Sequence, residues 1–139
     1  MAYKLPLNGN VLGLDIGDKR IGMARAHVIA RLPQPIETIE NNSDTATVIS
    51  QIVHREEICL IVVGIPRNLD GQETAQSSKI RQLAEELAKQ IPTDIVFVDE
   101  SLSSVRADEY LAGFKKKGFS QDSVAACFIL QEFFTIGAE

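Results

Sequence analysis

Three places in the chain carry acids that folding alone does not require. Asp15 lies near the end of the apolar run V-L-G-L-D-I (11–16), just before Gly17. Asp99 and Glu100 follow the apolar run Ile95–Val98, and Asp122 falls in the first turn after Ser120. Each has an ordinary structural use. Asp15 suits the start of a turn, Asp99-Glu100 a polar strand exit, and Asp122 a helix start, where the macrodipole favours an acid by roughly 0.3–1 kcal/mol. Together they imply more. Two strand ends and one helix start would converge on a single crevice, and carboxylates gathered there repel one another unless cations neutralise them. An all-oxygen donor set suits Mg²⁺ or Mn²⁺ rather than zinc. Two such ions about 4 Å apart activate water and stabilise the leaving oxygen of a phosphodiester. Lys19 and Arg20, beside the first acid, would hold flanking phosphates.

The elements that must position these acids follow from the apolar pattern. Val11–Ile16 and Arg20–His27 read as strands, and the short Gly17–Lys19 link predicts an antiparallel hairpin. Pro35–Ile39 is a third strand, with Pro33 and Pro35 marking its start or a sheet edge. The cluster Asn42-Ser43-Asp44 opens a helix whose stripe is Val48, Ile49, Ile52 and Val53. Ile58–Gly64 is a continuous apolar strand of the kind covered on both faces. After the loop Pro66–Gly71, Ile80, Leu83, Ala84, Leu87, Ala88 and Ile91 give a helix over 74–91, ended by Pro92. Ile95–Val98 is a short strand. One further helix starts near Ser103 or Ser104 and ends at Gly113, and another runs from after Ser120 to about Phe134. On the last helix, Asp122 shares a face with Ala125, Ala126 and Ile129, and two alanines allow close approach to a sheet. The order β-β-β-α-β-α-β-α-α predicts an α/β fold: a mixed five-stranded sheet, three antiparallel strands then parallel ones, flanked by helices. Ligands of such sheets bind at the carboxyl ends of the strands.

Length and composition narrow the class. The 139 residues suit one domain, 1–139, with a real hydrophobic core. The longest apolar run, Ile58–Ile65, falls well short of the about 20 residues that span a membrane, so no membrane partner is expected. The start Met-Ala-Tyr-Lys-Leu-Pro lacks a signal-peptide pattern, and a cytoplasmic location is expected. Cys59 and Cys127 sit in apolar runs as buried, reduced thiols, and neither His27 nor His54 stands at zinc spacing from them. A net charge of −5 counts against an ordinary nucleic-acid binder, unless acids hold cations that bring phosphate in. The basic residues are clustered instead: Lys19, Arg20 and Arg25 early, Lys115, Lys116 and Lys117 late.

Four ordered segments carry a resemblance. L-G-L-D-I-G-D-K-R-I-G-M-A (12–24), V-G-I-P-R-N-L-D-G (63–71), V-D-E-S-L-S-S (98–104) and D-S-V-A-A-C-F-I-L-Q (122–131) resemble the YqgF/RuvX-like family from about Asn10 to Phe134. Its members are described as nucleases of pre-16S rRNA and, earlier, as Holliday junction resolvases. The resemblance implies an RNase H-like nuclease fold, with Asp15, Glu100 and Asp122 as catalytic and metal-binding acids. It thereby selects Glu100 over Asp99. It also implies that the 63–71 loop borders the site, so that Lys19, Arg20, Arg67, Lys115, Lys116 and Lys117 are the expected nucleic-acid contacts. The implied reaction is two-metal-ion phosphodiester hydrolysis with Mg²⁺ or Mn²⁺, on precursor rRNA at the 16S 5′ end. Cleavage of branched DNA by a resolvase, which needs two sites related by a dyad and hence a homodimer, is the alternative. A binding module without catalysis is a further one. D-I-G-D-K-R-I-G also resembles the phosphate loop of actin-like ATPases, but those need two such domains. The chain departs from the family pattern at Ile16, where an aromatic is usual, at Asp18, where Thr is usual, and at Ser101, where Arg is usual. The basic stretch at Lys115–Lys117 is also shorter.

Overall fold

The computed structural model describes residues 3–66, 74–99, 112–113 and 117–138. Five strands form one sheet: β1 (Asn10–Ile16), β2 (Arg20–His27), β3 (Gln34–Glu40), β4 (Ile58–Ile65) and β5 (Asp94–Asp99), in the order β3-β2-β1-β4-β5. β1 pairs antiparallel with β2 and parallel with β4, β2 pairs antiparallel with β3, and β4 pairs parallel with β5. The sheet is therefore mixed, as the element order predicts. The β1–β2 turn is tight because the Gly17 amide donates to the Arg20 carbonyl at 2.9 Å, bringing Ile16 opposite Ile21. β3 is an edge strand, which suits Pro35.

Three helices cover the sheet among the described residues: α1 (Thr45–Arg55), α2 (Ala75–Gln90) and α3 (Gln121–Glu132). One face carries the large residues Leu12, Leu14 and Ile16 of β1, Ile21 and Met23 of β2, and Ile61, Val63 and Ile65 of β4. They pack against Ala46, Ile49 and Ile52 of α1 and Ile80 and Leu87 of α2. The other face carries Val11, Ala24, Ala26, Leu60, Val62 and Val98, under Ala126, Cys127, Ile129 and Leu130 of α3. α3 is apolar on every side, and residues Ser123 to Leu130 are all buried. A helix of that kind belongs inside a fold rather than on its surface.

The helix starts refine the sequence reading. α2 opens on Thr74, whose side chain accepts from the Ser77 amide while Ser77 answers in kind. Ser77 Oγ also donates to the Pro66 carbonyl at 2.7 Å, tying the end of β4 to the start of α2. At α1 the N-cap residue Asp44 makes no side-chain cap bond. Asp44 already holds right-handed backbone angles, and Thr45 supplies the local bond, its Oγ1 accepting from the Asn42 amide at 2.8 Å. The last helix ends sooner than about Phe134 in α geometry, passing into a π turn over Phe133–Gly137. The helix expected from Ser103 or Ser104 lies outside the described residues, apart from its last two, which are helical. Cys127 is buried as expected, and burial pushes its thiol up to about 12, whereas Cys59 is only half-buried. Among the described residues, no helix is long and apolar enough to cross a membrane.

Candidate active site

The site begins with alternation along β1. Val11 and Gly13 face α3, since a Cβ built on Gly13 would stand 2.7 Å from Leu130 Cγ and 2.9 Å from the Ala126 carbonyl oxygen. Asp15 follows at the next position of that face, half-buried at the carboxyl end of the central strand. Its cross-strand partner on β2 is Gly22, and Gly22 in turn pairs with Thr38 of β3. One row across three strands thus reads carboxylate, glycine, hydroxyl.

The start of α3 fills the gap in that row. A Cβ on Gly22 would come within 2.0 Å of the Asp122 carbonyl oxygen and 2.6 Å of the Ser123 amide nitrogen, both backbone atoms. Only glycine admits the helix there. The expected alanine contact holds in part: Ala126 meets the sheet, but Gly13 and Gly22 on the strands make most of the room. Ser120 caps the helix by accepting from the Ser123 amide at 3.2 Å, and its hydroxyl meets Thr38 Oγ1 at 2.7 Å. The cap therefore anchors the helix to β3 while Gly22 seats it on β2. Asp122, in the first turn, is held beside the strand residue that faces Asp15.

Arg20 lies two residues before Gly22 on the same face, and its Nε donates to Asp122 Oδ2 at 3.0 Å. The side chains are 66% and 34% exposed. Spacing in the sequence assigns Arg20 to phosphate and Asp122 to metal; the fold pairs them with each other. Lys19, at the hairpin tip, and Lys117 are exposed. Arg25 is not part of this group, because it pairs with Glu56 at 3.1 Å. Asp18 faces Lys79 at 4.0 Å, and both side chains are more than two-thirds exposed, so the pair adds little stability. The two line a cleft of about 480 Å³ with Ile16, Gly17, Asn41 and Glu86, on the α2 side of the strand end.

The β5 acids separate by alternation. Val96 and Val98 pack on the α3 face, whereas Ile95 packs on the other, and Phe97 lies under Arg81 of α2 at 4.6 Å. Asp99 follows Phe97 on that second face, opposite the one Asp15 occupies. Glu100, Arg67, Lys115 and Lys116 lie outside the described residues. The sequence places the helix start after Ser120, but the seat on Gly22 and the tie to Thr38 were missed; the small-residue alternation Gly22, Ala24, Ala26 was the available signal.

The donor chemistry fits a hard divalent cation. Asp15 and Asp122 offer oxygen only, and the histidines stand elsewhere, His27 at the far end of β2 and His54 in the last turn of α1. The Arg20 guanidinium already sets positive charge against Asp122. Among the described residues no three His, Cys, Asp or Glu side chains gather into a metal-binding group.

Solved structures of low sequence identity share this fold. RuvC of Thermus thermophilus aligns with a TM-score of 0.58 at 12% identity, over 91% of this chain and 95% of that one. The Holliday junction resolvase of fowlpox virus aligns with a TM-score of 0.55 at 12% identity, over 91% and 96%. The fold is that of the RNase H-like resolvases and nucleases. Within that class, the chain belongs to the RuvX family, described as Holliday junction resolvase, whose profile matches residues 9–136. A relative in Fusobacterium nucleatum is 41% identical over 88% of this chain and 94% of its own length. One in Ruegeria pomeroyi is 38% identical over 94% and 88%. Both carry the provisional name pre-16S rRNA nuclease. Family and fold together define a hydrolase of the nuclease class.

Proposed function

We propose that this chain, as one RNase H-like domain over 1–139, is a divalent-metal-dependent endonuclease that trims precursor 16S rRNA at its 5′ end in the cytoplasm. The observation that carries the reading is the seat of α3 on Gly22, which sets Asp122 beside the strand partner of Asp15. Asp15, Glu100 and Asp122 would hold Mg²⁺ or Mn²⁺, as two ions. Bound there, the ions supply a lowered pKa for water and charge stabilisation at the phosphate. Asp15 does its part from a strand paired on both sides, which fixes its direction. Asp122 does so from a capped helix start. Lys19, Arg20, Arg67, Lys115, Lys116 and Lys117 would hold phosphates on either side of the scissile bond. The test is cleavage of labelled precursor rRNA with Mn²⁺ or Mg²⁺ by wild type, Asp15→Asn and Asp122→Asn. Wild type cuts at the 16S 5′ end and both variants fail; equal cleavage by all three, or none by any, removes the reading.

A second reading has one observation in its favour. The aligned Thermus thermophilus RuvC fold has also been solved in complex with a Holliday junction substrate, with a TM-score of 0.57 to this chain. Paired incisions in a four-way junction need two copies about a dyad. A monomer in sedimentation at micromolar concentration, with no junction cleavage, excludes it.

A further inference from the structure

Arg20 pairs with an acid that the reading above gives to metal, although Arg20 itself is placed to meet phosphate. We propose that Arg20 is a positioning residue that exchanges between two anions: Asp122 while the site holds no metal, and a substrate phosphate once divalent cations take Asp122. The inference rests on that reading of the site.

Four observations carry it. The contact uses only Nε, at 3.0 Å, so the two Nη groups keep their donors for another anion. The Arg20 side chain is 66% exposed, and ion pairs of that exposure are weak enough to exchange. Asp122 cannot follow Arg20 away, because the backbone at Asp122 and Ser123 is seated on Gly22 and capped by Ser120. Arg20 is thus the mobile member and Asp122 the fixed one. Finally, the guanidinium sits on the carboxylate oxygen of Asp122 itself, so a cation taken up by that carboxylate competes with Arg20 for it. Such an arrangement couples two events. The same cation that completes the acid set releases a phosphate ligand, so metal and nucleic acid strengthen each other's binding.

The test reads binding rather than turnover. Mn²⁺ alone is titrated calorimetrically into wild type, Arg20→Ala, Arg20→Lys, Lys19→Ala and Asp122→Asn. Arg20→Ala is expected to bind Mn²⁺ about two- to five-fold more tightly than wild type, the range set by partly exposed ion pairs. Arg20→Lys should restore the wild-type value, and Lys19→Ala, which removes the same charge one residue away, should leave it unchanged. The second measurement is the salt dependence of binding to a labelled 5′ fragment of precursor 16S rRNA, with and without Ca²⁺. With Ca²⁺, the log–log slope of wild type should exceed that of Arg20→Ala by about one phosphate contact, roughly 0.7–0.9; without it the slopes should coincide. Equal Mn²⁺ affinity in Arg20→Ala and wild type overturns the exchange, as does equal tightening in Lys19→Ala. A slope difference that is the same with and without Ca²⁺ makes Arg20 a constant phosphate ligand and overturns it too. If wild type binds no Mn²⁺, or Asp122→Asn binds it as wild type does, the metal reading of the site falls, and the exchange with it.

Discussion

The two faces of the sheet are built on opposite principles. Toward α1 and α2, β1 and β2 present Leu12, Leu14, Ile16, Ile21 and Met23, and the helices are held off by large side chains. Toward α3, the same strands present Gly13, Asp15, Arg20, Gly22, Ala24 and Ala26, and backbone meets backbone. The first face gains stability through apolar volume removed from water. The second gives up that volume so that a helix start comes close enough to place a carboxylate. One strand thus serves both faces through a period of two: Val11, Gly13 and Asp15 face α3, and Leu12, Leu14 and Ile16 pack toward α1 and α2.

That contrast can be broken from either side. The largest effect on rate is expected at the acids: Asp15→Asn or Asp122→Asn should lower cleavage about 100-fold or more, since charge stabilisation of several kcal/mol is lost and each 1.36 kcal/mol is tenfold. Far-ultraviolet circular dichroism and the unfolding midpoint should stay close to wild type. On the opposite face, Leu14→Ala should cost about 2–5 kcal/mol in urea unfolding while activity per folded molecule persists. Activity that falls in step with the fold at low urea would erase the division between faces. Gly22→Ala joins the two effects. Overpacking should cost about 1–3 kcal/mol, yet Mn²⁺ binding and cleavage should fall much further than that of Leu14→Ala at matched stability. Thr38→Val is milder, about 1 kcal/mol from the lost Ser120 bond, with a modest loss of Mn²⁺ affinity.

The effect of Cys127 on α3 is confined to alkali and is absent at neutral pH. Its folded pKa, pushed up to about 12 by burial, exceeds the roughly 8.5 of an unfolded thiol. Above that value the unfolded chain loses a proton the native state keeps, so stability falls by about 1.4 kcal/mol per pH unit toward pH 12. Cys127→Ala should flatten that part of the stability profile, measured by urea unfolding between pH 8 and 11; an unchanged slope would assign the loss to other groups.

Most of the fold was legible because its signals are local. The apolar runs, the hairpin link at Gly17 and the repeat from Ile80 to Ile91 each fall within a few residues, and the five strands and the helix over 75–90 formed within a residue or two of their expected bounds. The site was legible in its parts and not in its assembly. Asp15 and Asp122 stood out as acids at element ends, but nothing local says that Gly22 lies between them, because that depends on strand register and on where a helix crosses the sheet. Arg20 shows the same limit. Beside Lys19 it reads as one of a basic pair, and its partner Asp122 is 102 positions away. Alternation along β5 supplies what spacing could not: Asp99 belongs to the face away from Asp15.

The central place of β1 has a consequence for how the molecule breathes. Its amides are bonded into ladders on both sides, to β2 and to β4. Hydrogen exchange at Leu12 to Leu14 will therefore wait for opening of the whole domain. The backbone that carries Asp15 is thus among the last parts of the molecule to loosen, and the first turn of α3, capped by Ser120 and seated on Gly22, is pinned to the neighbouring strand.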